Sequence, residues 1–164
     1  MTTNNITRLL DSKRIPYTVF ELSAEKRSAI ETARRLGVEA GLVYKTIVVT
    51  RQRGKPILAV IPGPNRVDLK LLASALGEKK LSLPTEREAE RLTGLQAGGI
   101  SPLALINKGF QVVVDAAAQN MSEIHVSGGQ RDLNVRLPVM ALIELTRARF
   151  ALMSILDDES RLYP

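Results

Sequence analysis

"LVYKTIVVTRQRGKPILAVIP" (residues 42–62) is the stretch on which the fold turns. Residues 42–50 and 56–62 are rich in β-branched and aliphatic side chains, and the polar "RQRGK" between them turns around Gly54. Two apolar runs joined by a short glycine-bearing link predict a β-hairpin with a core first strand. Strand side chains alternate, so Lys45, Ile47 and Val49 share one face and Tyr44, Thr46 and Val48 the other.

Upstream, "NNITRLLDSK" has Ile6, Leu9 and Leu10 at helical spacing with Asn4 or Asn5 as cap. "PYTVFEL" (16–22) reads as a strand, and "SAIETARRLG" as a helix with Ser28 and Glu31 at capping-box spacing, ended by Gly37. Downstream, "NRVDLKLLASALG" (65–77) and "PTEREAERLTG" (84–94) predict helices, with "KKLSL" a short strand between them. "FQVVVDAAA" (110–118), "SEIHVSGG" and "LNVRL" (133–137) predict strands. "PVMALIELTRARFALMS" predicts one C-terminal helix beginning at Pro138. The expected architecture is a single mixed α/β domain over residues 1–156 with a polar tail at 157–164. Its sheet is expected to be curved and barrel-like, mostly antiparallel or mixed, surrounded by helices, with most strands pairing with sequence neighbours.

The 164 residues suit one domain, and 45% hydrophobic against 24% charged residues is an ordinary globular balance. No apolar run approaches the roughly 18 residues of a membrane span. The N-terminus lacks an apolar signal core, so a cytoplasmic location without membrane contact is expected. With no cysteine, disulfides, thiolate zinc sites and a Cys nucleophile are excluded. A net charge of +6 fits a polyanionic partner or a solvated basic surface. Three Phe, three Tyr and no Trp disfavour a broad stacking platform for single strands.

The chemistry is narrowed by what is missing. There is one histidine, no acidic cluster at ligand spacing, no Walker A sequence and no G-x-G-x-x-G after a strand, so neither a metal nor another cofactor is expected. "SGGQRDLN" resembles a phosphate loop but lacks the closing Lys-Ser/Thr. His125 and Ser127 share a strand face, yet no G-x-S-x-G elbow accompanies them, and a satisfied strand histidine is the simpler reading. Lys45 on an apolar strand either snorkels to water or meets an anion. Gly98–Gly99 and Gly128–Gly129 are either tight turns or places where backbone N–H groups approach a ligand.

Taken in order, "VYKTIVV" (43–49), "DLKLLASALG" (68–77), "TGLQAGGISPLA" (93–104), "VVVDAAA" (112–118) and "VSGGQRDL" (126–133) resemble the YbaK/EbsC family of aminoacyl-tRNA deacylases, over roughly residues 4–154. These are free-standing relatives of the editing domain of prolyl-tRNA synthetase. The resemblance implies hydrolysis of the ester joining a mischarged amino acid to the 3′ end of tRNA(Pro), cysteine being the amino acid of the most similar branch. It implies Lys45 as the essential lysine. The substrate-binding residues it implies are Thr46, the loop Gly98, Gly99, Ile100, Ser101 and Pro102, and the turn Ser127, Gly128 and Gly129. In the cysteine-specific branch the substrate's own thiol attacks its ester, so the protein supplies no nucleophile. Aminoacyl-tRNA is then the implied partner, with a transient prolyl-tRNA synthetase contact. Other readings are a deacylase for alanine or 2-aminobutyrate, a non-catalytic tRNA- or synthetase-binding module, and a small-molecule binder. Two departures bear on the amino acid removed: "VFELSAEKRSA" offers Phe20 and Leu22 where the cysteine branch has Tyr and a His-rich stretch, and Asn134 stands where Asp is common, with Asp132 two residues before it.

Overall fold

A capping box opens the chain: Asn4 Oδ1 accepts the Thr7 N–H at 3.0 Å, and Thr7 Oγ1 accepts the Asn4 N–H at 2.9 Å. Helix α1 (Asn5–Ser12) follows and buries Ile6 and Leu10. The structure, a computed structural model, describes residues 3–157. Strand β1 (Thr18–Glu21) leads to α2 (Ala29–Leu36), which has the expected reciprocal Ser28–Glu31 cap and ends at Gly37.

The expected hairpin forms from β2 (Tyr44–Arg51) and β3 (Ile57–Pro62), with Tyr44 opposite Pro62 and Val49 opposite Ile57. Alternation divides the core as predicted. Tyr44, Val48, Leu58 and Val60 join one buried cluster, while Val49, Ile57, Ala59 and Ile61 join another with Leu72. β3 is buried along its whole length, which makes it the axis of the molecule.

The remaining elements are β4 (Asn65–Val67), α3 (Leu69–Leu76), β5 (Leu81–Ser82), α4 (Glu86–Thr93), β6 (Gln111–Asp115), β7 (Glu123–Ser127), β8 (Leu133–Pro138), α5 (Val139–Thr146), β9 (Arg149–Ala151) and β10 (Ser154–Leu156). They build three sheets, ordered β5-β2-β3-β6-β9, β1-β8-β7 and β10-β4. A parallel bridge between Val43 and His125 ties the three-stranded sheet to the start of β2. The architecture is therefore mixed α/β, and the ladders among the described residues do not close into a barrel.

Several expectations are corrected. Of the seven ladders, only β2–β3 and β7–β8 join consecutive strands, and β6 runs parallel to both β3 and β9. Residues 65–67 are strand, not helix, because they pair with β10; α3 starts after Asp68, whose carboxylate accepts the Lys70 and Leu71 N–H groups at 3.0 Å. The 110–118 strand stops at Asp115, which accepts the Ala117 N–H at 2.9 Å and opens a 3-10 turn, Ala116–Asn120. The long C-terminal helix ends at Thr146: Arg147 adopts φ 56°, and the chain continues as β9 alongside β6. Asp115 is buried beneath this junction, and Ser154 Oγ donates to its second oxygen at 2.6 Å. Of the polar tail, Asp157 donates its N–H to Pro64 O at 3.0 Å, and the rest lies outside the described residues.

Candidate active site

Lys45 follows a buried pair, Val43–Tyr44, at the start of β2. A half-buried ammonium there is costly unless it faces a polar ligand. Burial lowers the Lys45 pKa below the ordinary lysine value, and the Asp157 carboxylate acts in the opposite direction. Lys45 opens onto a cleft of about 420 Å³.

Three segments distant in sequence wall this cleft: Lys45 and Thr46 from β2, Gly98 and Ile100 from the loop after α4, and Ser127 and Arg131 from the turn after β7. The segments that carry the two glycine pairs therefore meet at the Lys45 cleft, with Gly98 alone of the four glycines in its lining. Gly98 has φ +86°, a conformation L side chains rarely adopt, and it is exposed at the cleft. Among the described residues, neither the Gly98 nor the Ile100 N–H has a protein acceptor, whereas the Gly99 N–H donates to Gln96 O at 2.8 Å. Two uncommitted backbone donors thus border the cleft, a pattern able to polarise a carbonyl.

The other expected site residues lie behind these walls. Gly99 is where the loop meets the facing turn: a Cβ there would sit 3.1 Å from Gln130 Cα and 3.2 Å from Arg131 N. Ser101 is fully buried, and its Oγ accepts the Leu103 N–H at 3.2 Å, which caps the 3-10 turn that begins at buried Pro102. The Gly128 N–H donates to Leu133 O at 2.9 Å, and the Gly129 N–H to Ser127 Oγ at 3.1 Å. Gly99, Ser101, Pro102, Gly128 and Gly129 thus shape the site from outside the lining.

His125 is 3% exposed and its Nδ1 lies 2.8 Å from Asn134 Oδ1, so it is the satisfied strand histidine that was the simpler reading. Desolvation is the largest influence on it and lowers its pKa; the Asn134 bond raises it less. Phe20 packs against this ring at 5.4 Å, while Leu22 lines the cleft. Asn134 lines the cleft as well, so the residue of the second sequence departure joins His125 to the site wall.

Two basic lining residues, Arg27 and Arg131, were not among the expected site residues. Arg131 Nε donates to Ala97 O at 2.7 Å, clamping the glycine loop to the turn, and Arg27 Nη1 donates to Arg131 O at 3.0 Å. Their sequence signals were slight: Arg27 is half of a Lys-Arg pair, and Arg131 sits in the imperfect phosphate-loop look-alike. The lining contains no histidine, and its two carboxylates are already paired, Glu25 with Arg35 at 3.8 Å and Glu86 with Lys26. No group of three or more potential metal ligands occurs among the described residues.

Residues 23–145 match the model of the aminoacyl-tRNA editing domain. The chain is 36% identical over 149 residues, 90% of each chain, to an Enterococcus faecalis protein, EbsC, proposed as a Cys-tRNA(Pro)/Cys-tRNA(Cys) deacylase. It is 26% identical over 112 residues to a proline–tRNA ligase of Geotalea daltonii, covering 68% of this chain and 19% of that one. A crystal structure of a proposed trans-editing enzyme for prolyl-tRNA synthetase superposes with a TM-score of 0.78 at 27% identity, over 94% of this chain and 99% of that one. The matched span contains every wall of the Lys45 cleft except Leu22, and the chain belongs to the aminoacyl-tRNA editing domain family.

Proposed function

We propose that this protein is a trans-editing aminoacyl-tRNA deacylase whose preferred substrate is cysteinyl-tRNA(Pro). The observation that carries this reading is the meeting of Lys45, the Gly98–Ile100 loop and the Ser127–Arg131 turn around one small cleft. In this reading Lys45 holds the terminal ribose or its phosphate, and the Gly98 and Ile100 N–H groups polarise the ester carbonyl. Thr46 and Ser127 provide hydroxyls on either side of the ester.

The reacting nucleophile belongs to the substrate. The cysteine sulfur attacks its own carbonyl carbon, the bond from that carbon to the ribose oxygen breaks, and the thiol proton ends on the ribose hydroxyl. Water then opens the strained thiolactone. Holding the reacting atoms together at an effective molarity of about 10⁵ M supplies about 7 kcal/mol of the barrier. A lining without histidine, and with both carboxylates paired, is consistent with this route.

The test is a deacylation panel of cysteinyl-, alanyl-, 2-aminobutyryl- and prolyl-tRNA(Pro), each with the Lys45→Ala variant beside it. Cysteinyl-tRNA should be cleaved fastest, and Lys45→Ala should lose about 100-fold or more, the order found for a lost transition-state donor. Full activity in Lys45→Ala refutes the assignment. Faster release of alanine or 2-aminobutyrate moves the reaction to attack by water, and tRNA binding without turnover makes the protein a recognition module.

A further inference from the structure

Arg27 and Arg131 line the cleft, and among the described residues neither forms an ion pair with a carboxylate. The salt bridges there use Lys26, Arg35, Arg51, Arg91 and Arg136. Their hydrogen bonds go to neutral oxygens: Arg131 Nε to Ala97 O, and Arg27 to Arg131 O, to Ser23 Oγ at 2.6 Å and to Ser23 O. The acceptors fix the planes of both guanidiniums yet remove no charge. Among the described residues neither terminal nitrogen of Arg131 has an acceptor, and Arg27 Nε is buried with no partner.

An aminoacyl ester makes this arrangement costly, because its α-ammonium would meet Lys45, Arg27 and Arg131 together. Glu25 and Glu86 give little relief, since each already faces a cation, and the Asp157 carboxylate acts on Lys45. A fixed anion brought in with the substrate resolves the repulsion, and the anion covalently closest to the ester is the phosphodiester on the 5′ side of the terminal adenosine. Planar guanidiniums suit phosphate oxygens because their N–H groups are spaced to grip two at once. Ser28, the N-cap of α2, and Ala29 line the same wall.

We propose that Arg27 and Arg131 form the seat for this internucleotide phosphodiester, which makes the cleft selective for a charged RNA end over a bare aminoacyl nucleoside. The inference rests on the deacylase reading, and it assigns the phosphate to the arginines and leaves Lys45 to the ribose and ester.

The test is equilibrium binding of three uncharged probes: adenosine, cytidylyl-(3′→5′)-adenosine and inorganic phosphate. The unmutated protein should bind the dinucleotide about tenfold more tightly than adenosine, the effect of one charge-assisted contact. That preference should fall with added salt at a slope of about 0.7 on logarithmic axes, as for one single-strand phosphate. Arg131→Gln and Arg27→Gln should each bring the dinucleotide to the adenosine level, while Arg53→Gln, exposed in the hairpin turn, should leave it unchanged. Arg131→Lys, checked by thermal unfolding, separates loss of charge from loss of the hold on Ala97. The salt slope of the unmutated protein decides the matter even where a variant does not fold. Equal binding of dinucleotide and adenosine overturns the proposal. So does a preference surviving both glutamine substitutions, or inorganic phosphate binding as tightly as the dinucleotide. If the dinucleotide preference holds but no aminoacyl ester is cleaved, the deacylase reading fails and the phosphate seat stands.

Discussion

Gly99→Ala should damage both stability and activity through one contact. A Cβ at this position would lie 3.1 Å from Gln130 Cα, 3.2 Å from Gln130 C and 3.2 Å from Arg131 N. All three are backbone atoms, so no side chain can swing away, and the facing turn must retreat by a few tenths of an ångström. Overpacking of this kind costs about 1–3 kcal/mol. For a chain of this size that corresponds to a fall in Tm of roughly 3–10 °C. The retreat also shifts Arg131, whose Nε holds Ala97 at 2.7 Å, and with it the Gly98 edge of the cleft. Gly41→Ala is the matched control: its Cβ meets nothing within 4 Å, so it should be neutral or stabilise by up to about 1 kcal/mol. Thermal unfolding followed by circular dichroism, with deacylation measured on the same samples, reads both effects. A Gly99→Ala Tm within experimental error of the Gly41→Ala value refutes the close-approach argument.

Two further expectations concern pH. His125 has a pKa lowered chiefly by burial, with Asn134 and Glu123 opposing and Arg136 assisting. The unfolded chain therefore takes up a proton near pH 6.5 that the folded chain refuses, and stability falls as pH drops through that value. Between about pH 7.5 and 5.5 the Tm of His125→Gln should change less than that of the unmutated protein; parallel curves would contradict this. Asp157 raises the Lys45 pKa against the desolvation that lowers it. Asp157→Asn should therefore bring the alkaline limb of the kcat/KM profile to lower pH, and an unmoved limb would separate Asp157 from the working lysine.

How much was legible in the sequence depended on whether a local rule or a distant partner decided each element. Ser28, Glu31 and Gly37 mark α2 because a capping box and a helix stop are local chemistry. The alternation around Lys45 was readable because each face of β2 keeps one apolar cluster. The C-terminal helix was over-extended because nothing in "ELTRARFA" punctuates it: the left-handed cap falls on Arg147, and β9 exists because β6 offers it a parallel edge. The consecutive pairing expected of the sheet failed for the same reason: β1 with β8, β4 with β10 and β2 with β5 pair antiparallel, and β6 pairs parallel with β3 and β9, each across intervening elements that no local signal reveals. At the site, Lys45 and Gly98 announced themselves by unusual residue type. Arg27 and Arg131 did not, because a loop arginine reads as solvated until the carbonyls of Arg131 and Ala97 draw it into a wall.

The proposed division of labour also explains why the site carries so little recognisable catalytic machinery. Under that reading every strong contact goes to what all aminoacyl-tRNAs share: the phosphate to the arginines, the ribose to Lys45 and the carbonyl to the loop amides. The amino acid side chain then meets apolar surface, with Leu22, Ile47 and Ile100 among the lining. An apolar wall discriminates by only about 1–3 kcal/mol per methylene, and it rejects an added hydroxyl poorly. Fit alone therefore cannot spare a correctly charged tRNA whose side chain is also small. A nucleophile carried by the substrate removes that difficulty, because a side chain without a thiol leaves the positioned carbonyl nothing to react with. Selectivity would then be chemical rather than steric. It follows that enlarging the wall with Ile100→Ala should widen binding across amino acids while leaving turnover confined to those bearing a thiol.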